Sequence, residues 1–255
     1  MRPTVLAVLV ALAFPVTSAL ATPPAPSDIP AYVTAAINDP ARKDDTADDE
    51  RRKVGELMTF AQVKPGQAVV DLIPGSGYFT RVFSAVVGPK GHVYAVWPNE
   101  YAKESKTDVQ ASKALVAQPH YANVGVLMGP AATFKTPEKV DLVFTSQNYH
   151  DYPDKFMGKV DPVAFDKQVF DSLKPGGLFV VIDHAAEAGS GMRDTDTLHR
   201  IDPAIVKKQV ESVGFVFDGE SDVLRNPADP HNIKVFDKSI RGHTDQFVYR
   251  FRKPG

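Results

Sequence analysis

The sequence predicts a doubly wound α/β fold, in which a mostly parallel, seven-stranded sheet carries helices on both faces and one antiparallel strand closes it. Short runs of β-branched and aromatic residues alternate with segments of helical periodicity, as parallel strands joined by crossover helices require. The run 178–182 is apolar at every position, which is typical of a strand covered on both faces. The segments 215–221 and 247–251 alternate their side chains instead, as expected of a closing antiparallel pair.

Cap and turn residues separate the predicted elements in chain order. Asp48 or Asp49 can cap the first helix, and a glycine turn after the first strand opens the second helix, which a Gly-Pro-Lys-Gly turn ends. Pro162 and Pro203 stand at the first positions of the last two helices. The predicted helices are 50–61, 79–87, 100–117, 161–173 and 202–213, and the predicted strands begin at Val69 and span 92–97, 123–128, 140–145, 178–182, 215–221 and 247–251.

One domain, residues 49–255, accounts for all of these elements. The segment 22–48 is predicted to be a proline-rich and polar leader, since its first nine residues contain four prolines and little that could pack.

The N-terminus has the features of a secretory signal peptide. Arg2 precedes an apolar run from Val5 to Phe14, and Ala19-Leu20-Ala21 supplies the small residues that signal peptidase requires. We expect residues 1–21 to be a signal peptide that is cleaved after Ala21, with export to the periplasm or the medium. The apolar run is too short for a permanent membrane span, although an uncleaved tether stays open as the alternative.

Composition excludes several classes of function. The 255 residues include no cysteine, so a disulfide framework, a thiolate nucleophile and a cysteine metal site are ruled out. The formal net charge of −2 becomes −3 when the predicted signal peptide is removed, since Arg2 is its one charged residue. No broad basic field remains, and we therefore expect no nucleic-acid partner.

The stretch from Val69 to Arg81 is the most informative part of the chain. It combines a buried strand, a Gly-x-Gly turn at Gly75 and Gly77, and the start of a helix. Glycines let the backbone approach a ligand closely, and free N–H groups at a helix start can bind it. Asp71, at the strand end, could accept hydrogen bonds from a ligand amine or hydroxyl group.

This segment resembles motif I of the class I S-adenosylmethionine-dependent methyltransferases, which is acid-x-Gly-x-Gly-x-Gly. Asp71, Gly75 and Gly77 fall in register, whereas Ile73 occupies the position of the first glycine. The Leu-Lys-Pro-Gly-Gly turn at 173–177 is also typical of that family. The resemblance implies a Rossmann-like fold, S-adenosylmethionine as the cofactor and methyl transfer as the reaction. A helix cap or a packing glycine would produce the same Gly-x-Gly, so a structural role stays open.

A narrower resemblance rests on two other segments. Asn148-Tyr149-His150-Asp151, together with the segment from Gly189 to Pro203, is similar to a group of exported bacterial proteins usually described as predicted methyltransferases.

Polar residues follow the predicted strands at their carboxyl ends, where doubly wound folds bind ligands. We predict that one set binds the cofactor and that another contacts the methyl acceptor. The cofactor set is Asp71, Gly75, Gly77, Tyr78, Trp97, Glu100 and Asn148, and the acceptor set is Tyr149, Asp183, Arg193 and His199.

Two histidines are candidates for catalysis. His150 or His184 could act as a general base if the acceptor must lose a proton, with Asp151 or Asp183 orienting the ring. Alternatively, each histidine caps a strand end and bonds to loop carbonyls.

Asp194, Asp196 and His199 could meet a divalent metal on a loop or short helix. These residues match no recognised ligand spacing, and loop-ordering hydrogen bonds explain them equally well. We therefore predict no metal site.

Two further contacts of the family are altered in this chain. The second strand of a class I enzyme usually ends in an acid that binds the ribose, whereas this strand ends at Trp97 and its nearest carboxylate is Glu100. After the third strand, where an acid often meets the adenine amine, residues 128–131 offer none. Trp97 could stack on the base or form an apolar lid.

The leading functional hypothesis is a methyltransferase that acts on a small or cell-envelope acceptor. The rival is a catalytically silent binding protein of the envelope with the same fold. A hydrolase using His150 or His184 is a third possibility, but the Gly-Ser-Gly at 189–191 lacks the spacing of a nucleophile elbow. The sequence determines neither the acceptor nor the oligomeric state.

Overall fold

The computed structural model describes residues 29–255. The predicted signal peptide and the first part of the predicted leader lie outside the described residues.

A seven-stranded sheet in the order β3-β2-β1-β4-β5-β7-β6 forms the centre of the fold. The first five strands pair in parallel, and β7 runs antiparallel to both of its neighbours. The predicted fold class is therefore confirmed. The strands are β1 (Ala68–Leu72), β2 (His92–Pro98), β3 (Val124–Gly129), β4 (Val140–Ser146), β5 (Leu173–His184), β6 (Val216–Ser221) and β7 (Gln246–Arg252).

Helices cover both faces of this sheet. Successive strand residues point to opposite faces, so Val69 packs in the layer with α1, α3 and α4, while Val70 packs in the layer with α7 and α9. The helices are α1 (Ala31–Ile37), α2 (Asp49–Arg52), α3 (Val54–Phe60), α4 (Tyr78–Val87), α5 (Asn99–Glu104), α6 (Lys106–Val116), α7 (Pro162–Ser172), α8 (Thr195–Leu198) and α9 (Pro203–Ser212).

Two helices that were predicted to be continuous are each broken into two. The predicted helix 50–61 is interrupted at Lys53, which adopts a left-handed conformation with φ of 50°. The predicted helix 100–117 is interrupted at Ser105, where ψ is 45°. Periodicity missed both breaks because the apolar spacing continues across them. Each break redirects the chain, so that α5 lies at the end of β2 while α6 packs against β3.

The chain before Asp49 is part of the folded unit. Val33 and Ala36 of α1 are buried in the layer that contains α4, and the Arg42 side chain is fully buried and bonded to Asp49. Residues 31–48, assigned from the sequence to the leader, therefore contribute to the core. Within residues 29–255, no helix has the length and apolar character needed to cross a bilayer.

Candidate functional site

The turn after β1 keeps the backbone of a glycine motif although its first glycine is replaced. Ile73 adopts a φ of 54°, and Gly75 and Gly77 have φ values of 56° and 87°. The Ile73 N–H donates to the Val96 carbonyl oxygen over 2.9 Å, which fixes the turn against β2. A β-branched residue in this left-handed region is strained by about 1–2 kcal/mol. Ile73 thus preserves the loop geometry at a cost that glycine would avoid.

A cavity of about 460 Å³ opens at the carboxyl edge of the sheet, beside this turn. Its volume lies in the range of pockets that bind drug-sized ligands and cofactors. Eight of the predicted site residues line it: Asp71, Gly75, Tyr78, Asn148, His150, Asp151, His184 and His199.

Two predicted cofactor residues lie elsewhere. Trp97 is fully buried, and its Nε1 donates to the Ser112 hydroxyl over 3.1 Å, so the ring belongs to the core between β2 and α6. Glu100 accepts a hydrogen bond from the Ala131 N–H over 2.8 Å and ties α5 to the loop after β3. Neither residue lines the cavity.

Two predicted acceptor residues are also absent from the cavity wall. Tyr149 is fully buried and donates its hydroxyl hydrogen to Asp166 over 2.8 Å. Arg193 is exposed and paired with Glu187 and Asp194. Sequence placed both near strand ends but could not show which way their side chains point.

Gly77 and Asp183 are close to cavity residues but do not line the cavity themselves. Gly77 is the N-cap of α4, and a Cβ atom built on it would lie 3.3 Å from an Arg81 guanidinium nitrogen. Asp183 is completely buried and accepts from the ring of His150 over 2.8 Å. Asp183 therefore positions a cavity residue without lining the cavity itself.

Asp71 places a buried carboxylate at the cavity. It accepts from the Thr80 hydroxyl over 2.6 Å, and burial raises the pKa of Asp71 to about 7 despite that bond. Arg52 and Arg81 offset only part of the effect of burial on the pKa of Asp71, and a cationic ligand group in contact with the carboxylate would lower that pKa further.

Arg52 is a cavity residue that sequence reasoning missed. Its guanidinium lies 4.5 Å from the centre of the Tyr78 ring. The Arg52 Nε atom is buried without a hydrogen-bond partner among residues 29–255, and an Asp48 oxygen lies 3.9 Å away. Arg52 lies at the end of α2, well before the glycine turn in sequence. No local sequence motif therefore indicated that it lines the cavity.

Asn148 connects the glycine turn to an aromatic rim. Its side-chain amide donates to the Ile73 carbonyl oxygen over 3.2 Å, and its oxygen accepts from the Tyr101 hydroxyl over 3.2 Å. Tyr101 packs edge-on against Phe156, which is 37% exposed, while Phe236 is 53% exposed at the same opening. These three rings give the cavity an apolar part of its lining.

His150 is held by carboxylates on two sides. Its Nδ1 lies 2.8 Å from Asp183, and its Nε2 lies 3.3 Å from Asp151. Burial alone would lower the pKa of His150, but these two carboxylates raise it to about 9. At neutral pH the ring is therefore cationic and is not available as a base.

His184 has the opposite character. Burial lowers the pKa of His184 to about 4, so the ring is neutral at physiological pH. Its Nδ1 lies 2.7 Å from the Thr244 hydroxyl, while its Nε2 has no hydrogen-bond partner among the described residues. His184 thus offers the cavity a neutral imidazole.

Comparison with known proteins identifies the fold. No family model matches the chain. Over 188 residues it is 29% identical to the ubiquinone/menaquinone biosynthesis C-methyltransferase UbiE of Vibrio cholerae, a match covering 72% of this chain and 60% of that protein. A solved S-adenosylmethionine-dependent methyltransferase from Aquifex aeolicus superposes with a TM-score of 0.56 at 20% identity, covering 86% of this chain and 97% of that one. The chain has the class I methyltransferase fold.

The methyltransferase fold alone does not determine the reaction. The [4+2]-cyclase SpnF also superposes, with a TM-score of 0.57 at 16% identity over 80% of each chain. Moreover, this chain spans about three fifths of the length of the curated relatives it matches. The activity of this protein therefore depends on the side chains at the site and not on the fold alone.

Proposed function

We propose that this protein is an S-adenosylmethionine-dependent methyltransferase acting on a small or cell-envelope acceptor. The proposal rests on Asp71 and Arg52, which line the same cavity beside the glycine turn. A buried carboxylate and a partly unbonded guanidinium complement the amino and carboxylate groups of an amino-acid ligand. That chemistry matches the methionine part of the cofactor.

The glycine turn leaves room for the cofactor. A Cβ atom built on Gly75 would meet no other atom within 4 Å, so the space above this residue is open on the cavity side. Asp108 and Glu104, at the break between α5 and α6, also line the cavity. They supply carboxylates for ribose hydroxyls in place of the acid that β2 lacks.

Positioning is the main task of the chain in this reaction. S-adenosylmethionine, when bound, supplies a methyl group that is already activated on a sulfonium. The chain holds the acceptor in line and excludes water. His184 is the residue placed to accept a proton where the acceptor must lose one, because its ring is neutral and its Nε2 is unbonded among residues 29–255. Its lowered pKa makes it a weak base, so this step requires an acceptor whose proton is already acidic.

The acceptor is proposed to contain an apolar or aromatic part. Tyr101, Phe156 and Phe236 line the cavity with aromatic rings, and such a group would bury surface against them. The UbiE relatives are named for methylation in ubiquinone and menaquinone biosynthesis, which is consistent with a ring-containing acceptor.

We also propose that the protein is exported after cleavage of its signal peptide. The apolar run and the Ala-x-Ala site at Ala19 to Ala21 support a cleaved signal peptide, and the narrower resemblance is to an exported group. N-terminal sequencing of protein secreted by its host checks this, with a start at Thr22 expected and a start at Met1 contradicting it.

Calorimetry with S-adenosylmethionine and S-adenosylhomocysteine tests the cofactor. Wild type is expected to bind both, and Asp71→Asn to weaken binding at least tenfold. Asp166→Asn is the matched control, because Asp166 is equally buried and also accepts from a hydroxyl group but lies outside the cavity. No binding by wild type at millimolar ligand would favour the silent binding protein instead.

A further inference from the structure

Three side chains meet at the cavity with atoms that can all bind one cation. The His150 Nε2 lies 3.4 Å from the His199 Nδ1 and 3.3 Å from an Asp151 carboxylate oxygen, and that oxygen lies 3.8 Å from the His199 Nδ1. Chain segments after β4 and after β5 supply these residues. All three line the cavity.

We propose that His150, Asp151 and His199 form a binding site for a divalent transition metal of the Zn²⁺ class. A triangle with sides of 3.3, 3.4 and 3.8 Å has a point about 2.0 Å from every corner, which is the distance of zinc from imidazole nitrogen and carboxylate oxygen. The three ligand atoms thus already have the spacing that one metal ion requires.

A buried carboxylate orients the first ligand. Asp183 lies 2.8 Å from the Nδ1 of His150 and accepts the backbone N–H of the same residue, also over 2.8 Å. Metal-binding histidines characteristically donate their second ring nitrogen to such a carboxylate, which fixes the tautomer and the ring direction. In this arrangement the Nε2 of His150 faces the other two ligands, and it would release its proton when the metal binds.

The backbone of His199 is held in an uncommon conformation. Its φ is 55°, in the left-handed region, at the end of α8. The Thr195 carbonyl oxygen fixes its N–H, and the next residue, Arg200, is fully buried and bonded to Asp229. Such strain persists where the surroundings enforce it and is concentrated at functional sites. Here it brings the Nδ1 of His199 to His150.

The ligand set determines the kind of metal. Two imidazoles and one carboxylate suit Zn²⁺, Fe²⁺ and other transition metals, whereas Mg²⁺ and Ca²⁺ prefer oxygen ligands. The remaining coordination positions face the cavity, because all three ligands line it. A bound metal would therefore present open positions to an oxygen or nitrogen atom of a ligand.

The competing interpretation is a simple hydrogen bond between the two histidine rings. In that case the nitrogen atoms share a proton and no metal is needed. Metal stoichiometry separates the two interpretations.

The test uses tag-free mature protein, stripped with a chelator, and requires no S-adenosylmethionine. Titration calorimetry with Zn²⁺ is expected to show one site, and Mg²⁺ at the same concentration to show none. His150→Ala and His199→Ala should each weaken Zn²⁺ binding at least tenfold and abolish the rise in melting temperature that Zn²⁺ produces. His243→Ala, which removes an exposed histidine outside the cavity, should leave both unchanged.

Circular dichroism confirms that each variant is folded before titration, and Asp151→Asn provides a ligand change that conserves size. Absence of a zinc site in wild type would overturn the proposal, as would equal binding by folded His150→Ala and His199→Ala. Because the readout is metal binding alone, failure here leaves the methyltransferase proposal standing.

Discussion

The Asp183 carboxylate binds His150 twice, through the backbone N–H over 2.8 Å and through the ring Nδ1 over 2.8 Å. One of its oxygens also accepts the His184 N–H over 2.8 Å. A single buried side chain at the end of β5 thus orients the ring of His150 and fixes the backbone of His184, two of the three histidines that line the cavity.

Replacing Asp183 is expected to destabilise the protein strongly. Asp183→Ala leaves three buried donors without this acceptor and removes the nearer of the two carboxylates beside His150, which costs about 3–5 kcal/mol. Asp183→Asn retains one acceptor oxygen and is expected to cost about 1–3 kcal/mol. Urea unfolding at neutral pH measures both. A free energy of unfolding for Asp183→Ala within about 0.5 kcal/mol of wild type would contradict this role.

Alanine variants are usually more stable than glycine variants at the same strand position. The left-handed backbone at Ile73 is expected to reverse this order of stability. Both Ile73→Gly and Ile73→Ala lose the same buried side chain, but only glycine relieves the conformational strain, which is about 1–2 kcal/mol. At an ordinary strand position such as Val70, glycine should be about 1 kcal/mol less stable than alanine. We expect glycine to be at least as stable as alanine at position 73. Chemical denaturation of the four variants tests this, and an equal glycine penalty at both positions would refute it.

Cofactor binding is expected to depend on pH through Asp71. The pKa of Asp71 is raised to about 7 in the unliganded protein, so below that pH the carboxyl is protonated and must lose its proton to pair with a cationic ligand. The affinity for S-adenosylmethionine should therefore fall about tenfold per pH unit below 7 and level off above it. Calorimetry between pH 5 and pH 9 measures the profile. Asp71→Asn should bind weakly and without this slope, and an identical slope in that variant would exclude Asp71 as its source.

Arg52 is expected to contribute to cofactor affinity as well. Arg52→Met keeps much of the packing against Tyr78 but removes the charge that would pair with the ligand carboxylate. Loss of a charge-assisted hydrogen bond of about 1.5–3 kcal/mol corresponds to at least a tenfold weaker dissociation constant. The neighbouring Arg51→Met serves as the control, because Arg51 is paired with Asp48 and lies outside the main cavity. Equal effects of the two substitutions on binding would argue against a specific contact.

Sequence patterns were sufficient for the fold class because strands that alternate with helices favour a mostly parallel sheet with helices on both faces. They also placed Asp71, His150 and His184 at one edge of the sheet, since parallel strands bring their carboxyl ends together. Sequence patterns did not predict the direction in which individual side chains point. Trp97 and Tyr149 stand at strand ends, yet both side chains turn into the core.

Other features depended on tertiary contacts that a local pattern does not contain. Arg52 lines the cavity from the last position of α2, directly before the break at Lys53. Likewise, His199 meets His150 across 49 residues of chain, whereas the sequence suggested grouping His199 with its neighbours Asp194 and Asp196. For His199, neighbours in sequence predicted its contacts less well than the residues that share the carboxyl edge of the sheet.

The most direct measurement of the central claim is a crystal structure of the mature protein with S-adenosylhomocysteine. We expect the ligand in the cavity beside the turn from Ile73 to Gly77, with its amino group within about 3 Å of Asp71 and its carboxylate near Arg52. Ligand density on another surface, or an empty cavity at saturating ligand, would contradict it.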